Sequence, residues 1–484
     1  QLQPDKSERN VIIYAGNRTT MTTPDSRQIN YTHDFNNLLT GITTPDMGNF
    51  AFAYDAANRR TTRTLPNGTV STYNYDDSGR LTGIETTLNQ ATIDSLTYTM
   101  DNVGNRISKT QNSMIVDYTY DNIYRLTGVS PTGTNQQPEN YTYDVVGNRL
   151  TSGNEQFPQT TETVQYSYDH ENRLTGVTIT EGSNVKQLTF AYDPFGTRIK
   201  KTIVQDTIGT DCTSPNTCPR TTNYVYDGQS IIMEYDQNGN ITAKYTHGPG
   251  IDEPLAVQKN SQTYYYHADG LGSITGLSNT SGTIVQTYTY DSFGNMTQTG
   301  SISQPFTYTA REYDQETGMY FYRARYYDPK VGRFVTKDPI GFDGGDYNLF
   351  SYVKNNPVGN TDPSGLKTYM CKKFLHALGG KGQRTGPDIW GNPLYHQYIC
   401  VIKSNGEKIC GGQDRQAGAW GPGKPSDDHY SPENCTQTDP DDECLEKCLI
   451  PKLNSTNRPW YGLIGPGTNC QEWANATYKS CKFK

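Results

Sequence analysis

The chain is 484 residues long, which implies more than one domain. Only 33% of residues are apolar, Tyr (37) and Gly (46) are abundant, and no apolar run approaches the roughly 18 residues of a membrane-spanning helix. The formal charge of −8 is uneven: residues 367–484 hold 15 basic and 12 acidic residues, net +3, leaving 27 and 38, net −11, for the remainder, and so small a basic surplus does not indicate nucleic-acid binding.

The chain begins at Gln1 with no basic, apolar secretory leader, so a processed product or a fragment of something longer is expected. From there a unit of aromatic-rich strand, Tyr-Asp, turn, Arg or Leu, and return strand recurs. Its copies are Tyr54-Asp55, Tyr75-Asp76, Tyr120-Asp121, Tyr143-Asp144, Tyr168-Asp169 and Tyr192-Asp193, with degenerate ones at His33-Asp34 and Met100-Asp101. Successive aspartates are 20 to 25 residues apart, enough for one β-hairpin each. In YTYDVVGNRL (141–150), Tyr141 and Tyr143 share a face, Asp144 caps the turn, Gly147 supplies a positive φ, and Arg149 and Leu150 start the return strand. One hairpin cannot bury its own face; stacked hairpins can, and they make a long sheet that spirals. Cys212 and Cys218 bracket TSPNT and could close a small loop.

Two further stretches follow, YYYHADGLGSITGLSNTSGTIVQTYTYDSFGNM (264–296) and FYRARYYDPKVGRFVTKDPIG (321–341). The segment Asp338 to Leu366 then opens and closes on the same Asp-Pro-x-Gly element, Asp338-Pro339-Ile340-Gly341 and Asp362-Pro363-Ser364-Gly365. Either turn alone is ordinary turn chemistry. Together, with their aspartates 24 residues apart, they resemble the closing motif of the Rhs (YD-repeat) family, and the two stretches before them resemble the Rhs core region.

The resemblance implies a mostly β fold: a spiralling YD-repeat β-hairpin shell, or Rhs cage, followed by a small α+β toxin domain. It sets expected boundaries of 1–260 for the repeat shell, 261–366 for the core with its self-cleavage motif, and 367–484 for the toxin. Asp338 and Asp362 fall on two family aspartates that sever the Leu366–Lys367 bond. Two nearby carboxylates do not easily ionise together, so one activates water while the other protonates the leaving group. Arg325, in RARYYDP, falls on a family arginine that supports them. A cognate immunity protein, and a secretion apparatus or delivery proteins reached through a missing N-terminal region, are implied likewise. The protein would be secreted or delivered from a bacterial cell.

The tail, residues 367–484, has no repeat and holds eight of the ten cysteines, which suggests an oxidising destination. CKKFLHALGG (371–380) reads as a short helix or a linker. YHQYICVIKSNGEKICGGQDR (395–415) reads as a β-hairpin around Ser404-Asn405-Gly406. CLEKCLI (444–450) has helical spacing. In YGLIGPGTNCQEWANATYKSC (461–481), Cys470 opens an expected helix capped by Asn469, where the dipole favours a thiolate. With His396 as base, this resembles the circularly permuted papain-like hydrolases. A two-residue turn sets His396 opposite Arg415, with Gln413 on the same face. A three-residue loop sets it opposite Asp414 and sets Cys400 opposite Cys410. Gln413 and Asp414 thus both stand as orienting candidates. Eight cysteines also pair evenly, which favours a structural Cys470. His376 and His429 are further candidates, but no CxxC pair or HExxH element appears, so no metal or other cofactor is expected. The alternatives are a disulfide-stapled non-enzymatic toxin, a nuclease using His396 or His429, and a surface adhesion array.

Overall fold

The computed structural model describes residues 10–14, 17–133, 136–151, 162–208, 218–341 and 346–363, and in the tail the strands 367–374, 395–402, 408–411, 413–415, 420–425, 435–440 and 460–462. The chain forms two compact units, one of residues 1–336 with 350–363 and the other of residues 337–349 with 364–484.

The first unit is built from antiparallel hairpins taken in chain order. One sheet has 13 strands, from Asn10–Tyr14 to Glu139–Asn140. A second has 12, from Glu162–Tyr168 to Met296–Thr299, and a third has four, from Glu312–Asp314 to Arg333–Phe334. No strand is skipped in any of the three, so every pairing is local.

The Tyr-Asp turn explains this order atom by atom. At Asp55 the carboxylate Oδ1 accepts the N–H groups of Ala57 (2.9 Å) and Arg59 (2.9 Å), and Oδ2 accepts Nε–H of Arg59 at 2.7 Å. The same set recurs at Asp76, Asp121 and Asp169. Where Asn replaces Arg, as at Asn148, its Nδ2 still reaches the aspartate Oδ2, at 2.8 Å. The residue three after the aspartate takes the left-handed backbone, for example Asn58 (φ 63°) and Gly147 (φ 85°), which explains why Asn and Gly recur there.

Several of these turns are bonded in both directions. The tyrosine hydroxyl donates backward to a carbonyl of the preceding hairpin: Tyr54 to Leu39 (2.8 Å), Tyr75 to Arg60 (3.0 Å), Tyr192 to Leu174 (2.6 Å). The arginine donates forward to the carbonyl of the next aspartate: Arg59 to Asp76 (3.2 Å), Arg80 to Asp101 (3.0 Å), Arg173 to Asp193 (3.3 Å). Its guanidinium also lies over the next tyrosine, 4.9 Å from the ring centre for Arg59 and Tyr75.

The expected hairpin at 141–150 narrows to a single bridge between Tyr143 and Arg149. Arg149 is buried and stacks 4.2 Å over Phe293, at the far end of the second sheet. Sheet-to-sheet contacts of this kind form the core. Met21, Ile42, Phe50 and Phe52 pack with Leu255 and Tyr265, and Leu174, Leu188 and Phe190 pack with Phe321 and Tyr326. Buried ions join the same layers. Arg60 meets Glu253, and Arg198, 1% exposed, meets Glu312 at 2.8 Å and also meets Asp314. Cys218 is disulfide-bonded, and Cys212 lies outside the described residues.

His267 is buried with Nε2 2.8 Å from Ser278 Oγ. Burial, helped by the Arg63 cation, pushes its pKa down to about 3. An unfolded histidine titrates near 6.5, so below that pH the unfolded chain takes up a proton that the fold refuses. Stability is therefore expected to fall as the pH drops from about 6.5 toward 3. His267→Gln should flatten the Tm-against-pH curve over that interval, and an unchanged slope would show that this histidine does not contribute.

In the tail every described element is a strand. One sheet has the order 408–411, 395–402, 367–374, 435–440, and a smaller one joins 413–415, 420–425 and 460–462. The short helix or linker expected from 371 gives way over Lys367–Phe374 to a strand with a neighbour on each side, whose ladders take up its backbone groups. Residues 375–380 and the expected helices at 444–450 and from Cys470 lie outside the described residues.

Candidate functional site

The candidate site sits at the end of the first unit, on a hairpin of strands Met319–Tyr322 and Arg325–Asp328. Tyr322 pairs with Arg325, so the turn is only Arg323-Ala324. Six aromatic side chains, Tyr308, Tyr320, Tyr322, Tyr327, Phe334 and Tyr352, form the cluster beneath it. This support fixes where the two arginines flanking the alanine can reach.

Arg325 lies flat, its guanidinium 3.6 Å from the centre of the Phe334 ring and its side chain 3% exposed. Its Nη2 is 3.4 Å from Oδ2 of Asp362. The structure thus brings together two of the three residues expected for self-cleavage. Asp338 belongs to the second unit. There its Oδ1 accepts the Ile340 N–H (3.1 Å), its carbonyl accepts the Gly341 N–H (3.0 Å), and its own N–H donates to Leu349 (2.8 Å). The Leu366 side of the expected cut lies outside the described residues, and Lys367 opens the first tail strand.

Arg323, which the sequence reading passed over, is the other arginine of the turn. It has φ 55°, in the left-handed region. Its Nη2 donates to Asp252 Oδ1 at 2.6 Å and its Nη1 to Asp252 Oδ2 at 3.3 Å, and Nη1 also donates to the carbonyl of Pro363. Arg311 binds the same Asp252 carboxylate and donates to the Phe321 carbonyl at 2.9 Å. Burial and the neighbouring Arg311 cation push the Arg323 pKa down against the pull of Asp252. The signal available in the sequence was YRAR itself, two arginines that a two-residue turn places at successive corners. Asp252, 71 residues earlier, carries no motif.

In the tail, Cys400 lies opposite Cys410, the pairing given by the three-residue loop. The expected hairpin nevertheless does not run on to residue 415. Its return strand ends at Gly411, and Gln413 and Asp414 pair instead with Pro425 and Lys424 in the other sheet. The residue opposite His396 is Lys373. Neither orienting candidate is therefore its cross-strand partner. Cys371 lies opposite Cys435, a pairing the sequence did not suggest. Cys470, His376 and His429 lie outside the described residues. Among the described residues no group of three or more His, Cys, Asp or Glu side chains is placed to hold a metal ion, and no helix is long and apolar enough to cross a membrane.

Tandem antiparallel hairpins with a recurring Tyr-Asp turn that bonds to neighbouring hairpins define a YD-repeat shell protein. The chain belongs to the teneurin YD-shell family, whose sequence model matches residues 72–358, and so to the YD-repeat (Rhs) group that its motifs indicated. It is 32% identical over 277 residues to the tRNA nuclease WapA of Bacillus subtilis, covering 55% of this chain and 11% of that protein. It is 29% identical over 206 residues to the double-stranded DNA deaminase toxin A of Burkholderia cenocepacia, covering 38% of this chain and 14% of that protein. The chain thus spans little more than a tenth of the length of these relatives. Among solved structures, the TcdB2-TccC3-Cdc42 crystal structure aligns with a TM-score of 0.62 and 20% identity, covering 74% of this chain and 21% of that one, a likeness of fold.

Proposed function

We propose that the chain is the C-terminal part of an Rhs-type bacterial toxin whose β-shell encloses residues 367–484 and cuts them free after Leu366. The observation that carries this reading is the Arg325–Asp362 contact, at the second of the two Asp-Pro-x-Gly elements. In the reaction, Asp362 takes a proton from water, which attacks the Leu366 carbonyl. Asp338 delivers a proton to the Lys367 nitrogen as the C–N bond breaks, leaving a new carboxylate and a new amine. A cognate immunity protein and delivery proteins complete the system.

For the released tail we favour a Cys-His hydrolase with Cys470 as nucleophile and His396 as base. A nuclease is the second reading, supported by the name of the tRNA nuclease relative. That relative and a deaminase toxin both match this chain, which supports a common shell carrying tails of different chemistry. The opposed pairs Cys400–Cys410 and Cys371–Cys435 support a stapled tail that passes through an oxidising compartment. Peptide mapping without reductant should recover both as cross-links, and free thiols at these four positions would remove that support.

The test is growth inhibition by residues 367–484 sent to the cytoplasm or to the periplasm, with Cys470→Ala in each and RNA and DNA integrity followed in parallel. Toxicity lost in the folded Ala variant sustains the hydrolase. A folded Ala variant that kills as well as the parent, with degraded nucleic acid, transfers the assignment to the nuclease.

A further inference from the structure

We propose that Arg323 is a positioning residue for the self-cleavage reaction, holding the chain just before the scissile bond by the Pro363 carbonyl. The inference rests on the cleavage reading above and adds to it a clamp that the two aspartates and Arg325 do not supply.

The geometry is specific. Asp362 and Pro363 are adjacent residues, and each is held by a different arginine of one hairpin, Arg325 at the start of its return strand and Arg323 in its two-residue turn: Asp362 by its side chain on Arg325, Pro363 by its carbonyl on Arg323. A side-chain contact alone leaves the following backbone free to rotate. A carbonyl contact one residue later fixes the orientation of the peptide plane that leads to Ser364. Three residues separate Pro363 from the Leu366–Lys367 bond, a reach of at most about 11 Å in extended chain. A fixed plane at its root therefore limits the positions and directions that the scissile carbonyl samples.

Arg323 is itself held in place. Asp252 grips both terminal nitrogens, and Arg311 holds Asp252 from the other side. The backbone of Arg323 takes a left-handed φ of 55°, a conformation that L-residues persist in where the surroundings over-determine it. Asp252 has φ 55° as well. Packing alone would be served by a glycine in a two-residue hairpin turn. What glycine lacks is the planar fork that can bind a carboxylate and a carbonyl together.

The experiment follows fragment release during cell-free synthesis of the full chain, with the Tm of each purified product measured alongside. Arg323→Gly, which relieves the backbone but removes the fork, and Arg323→Lys, which keeps the charge, are compared with Asp252→Asn. A misplaced reacting group costs on the order of 100-fold in rate. We expect a loss of that order in Arg323→Gly, a smaller one in Arg323→Lys, and an intermediate one in Asp252→Asn. The shape of the pH–rate profile should be unchanged in all three, because no proton-transferring group is altered. A folded Arg323→Gly that releases the tail at the parental rate overturns the proposal, as does a rate loss that tracks the fraction unfolded. If the parent itself releases nothing after Leu366, the cleavage reading fails first, and the parent sample alone reveals it.

Discussion

Replacing Asp362 by Asn is expected to leave the full chain intact where the parent yields a new fragment beginning at Lys367. General acid–base groups contribute roughly 100- to 10,000-fold, so release should slow by at least about 100-fold. Asp338→Asn should do the same. In the proposed reaction the two carboxylates act on one bond in one step, so the double variant should be no slower than the slower single one. This non-additivity separates a shared catalytic role from two independent turn defects, which would add. Asp362 meets Arg325 and Asp338 caps its own turn at Ile340, so each substitution also removes a local contact. Asn keeps most of that capping capacity, which makes it the informative replacement. N-terminal sequencing of the fragment reads the position of the cut. Unchanged release from Asp338→Asn would remove this residue from the mechanism.

The second large effect concerns stability. Arg198 is fully enclosed, donating to Glu312 (2.8 Å), to Asp314 and to the Tyr326 hydroxyl (2.8 Å), with Phe321 4.6 Å from its guanidinium carbon. These partners lie on strands of the four-stranded sheet, while Arg198 begins a strand of the 12-stranded one. Removing one member of a buried ionic group strands the others, at a cost of about 3–5 kcal/mol. Arg198→Ala is expected to lose stability of that order, read as a shift in the urea midpoint. Asp314 also meets Lys201 at 3.1 Å and keeps a cation, whereas Glu312 is left with less. Adding Glu312→Gln to Arg198→Ala should therefore recover part of the loss. A midpoint unmoved by Arg198→Ala would mean that this joint between the sheets carries no weight.

The repeats were legible because their turn chemistry is written in adjacent residues: an aspartate, an Asn or Gly three positions on, and an Arg or Asn at the fourth. Further copies escaped notice, one of them, at Asp236, spelled in full with Gly239 and Asn240. Asp236 and Asp269 make the same turn, and Asn279 makes it with an amide, its Oδ1 accepting from Ser281 and Thr283 at 3.0 Å each. Arg325 and Asp362, 37 positions apart, were named together through motif resemblance alone, since that separation gives no local clue. Asp252 and Arg311 were not foreseen, because what selects them is the topology that brings their strands beside the turn. In the tail the register around Cys400 was one of two that the loop permits, and the end of the return strand at Gly411 was not foreseen.

The two-way bonding of the Tyr-Asp turns has a direction in time. A tyrosine finds its acceptor in the hairpin already made, whereas an arginine must wait for an aspartate still to be synthesised. A nascent chain can therefore secure such a turn to the finished part as soon as it leaves the ribosome, and where the turn carries an arginine, as at Arg59, Arg80 and Arg173, the growing end presents a donor that the next turn satisfies. Such bonding lets assembly advance like a ratchet in the direction of synthesis, each hairpin added to one already closed.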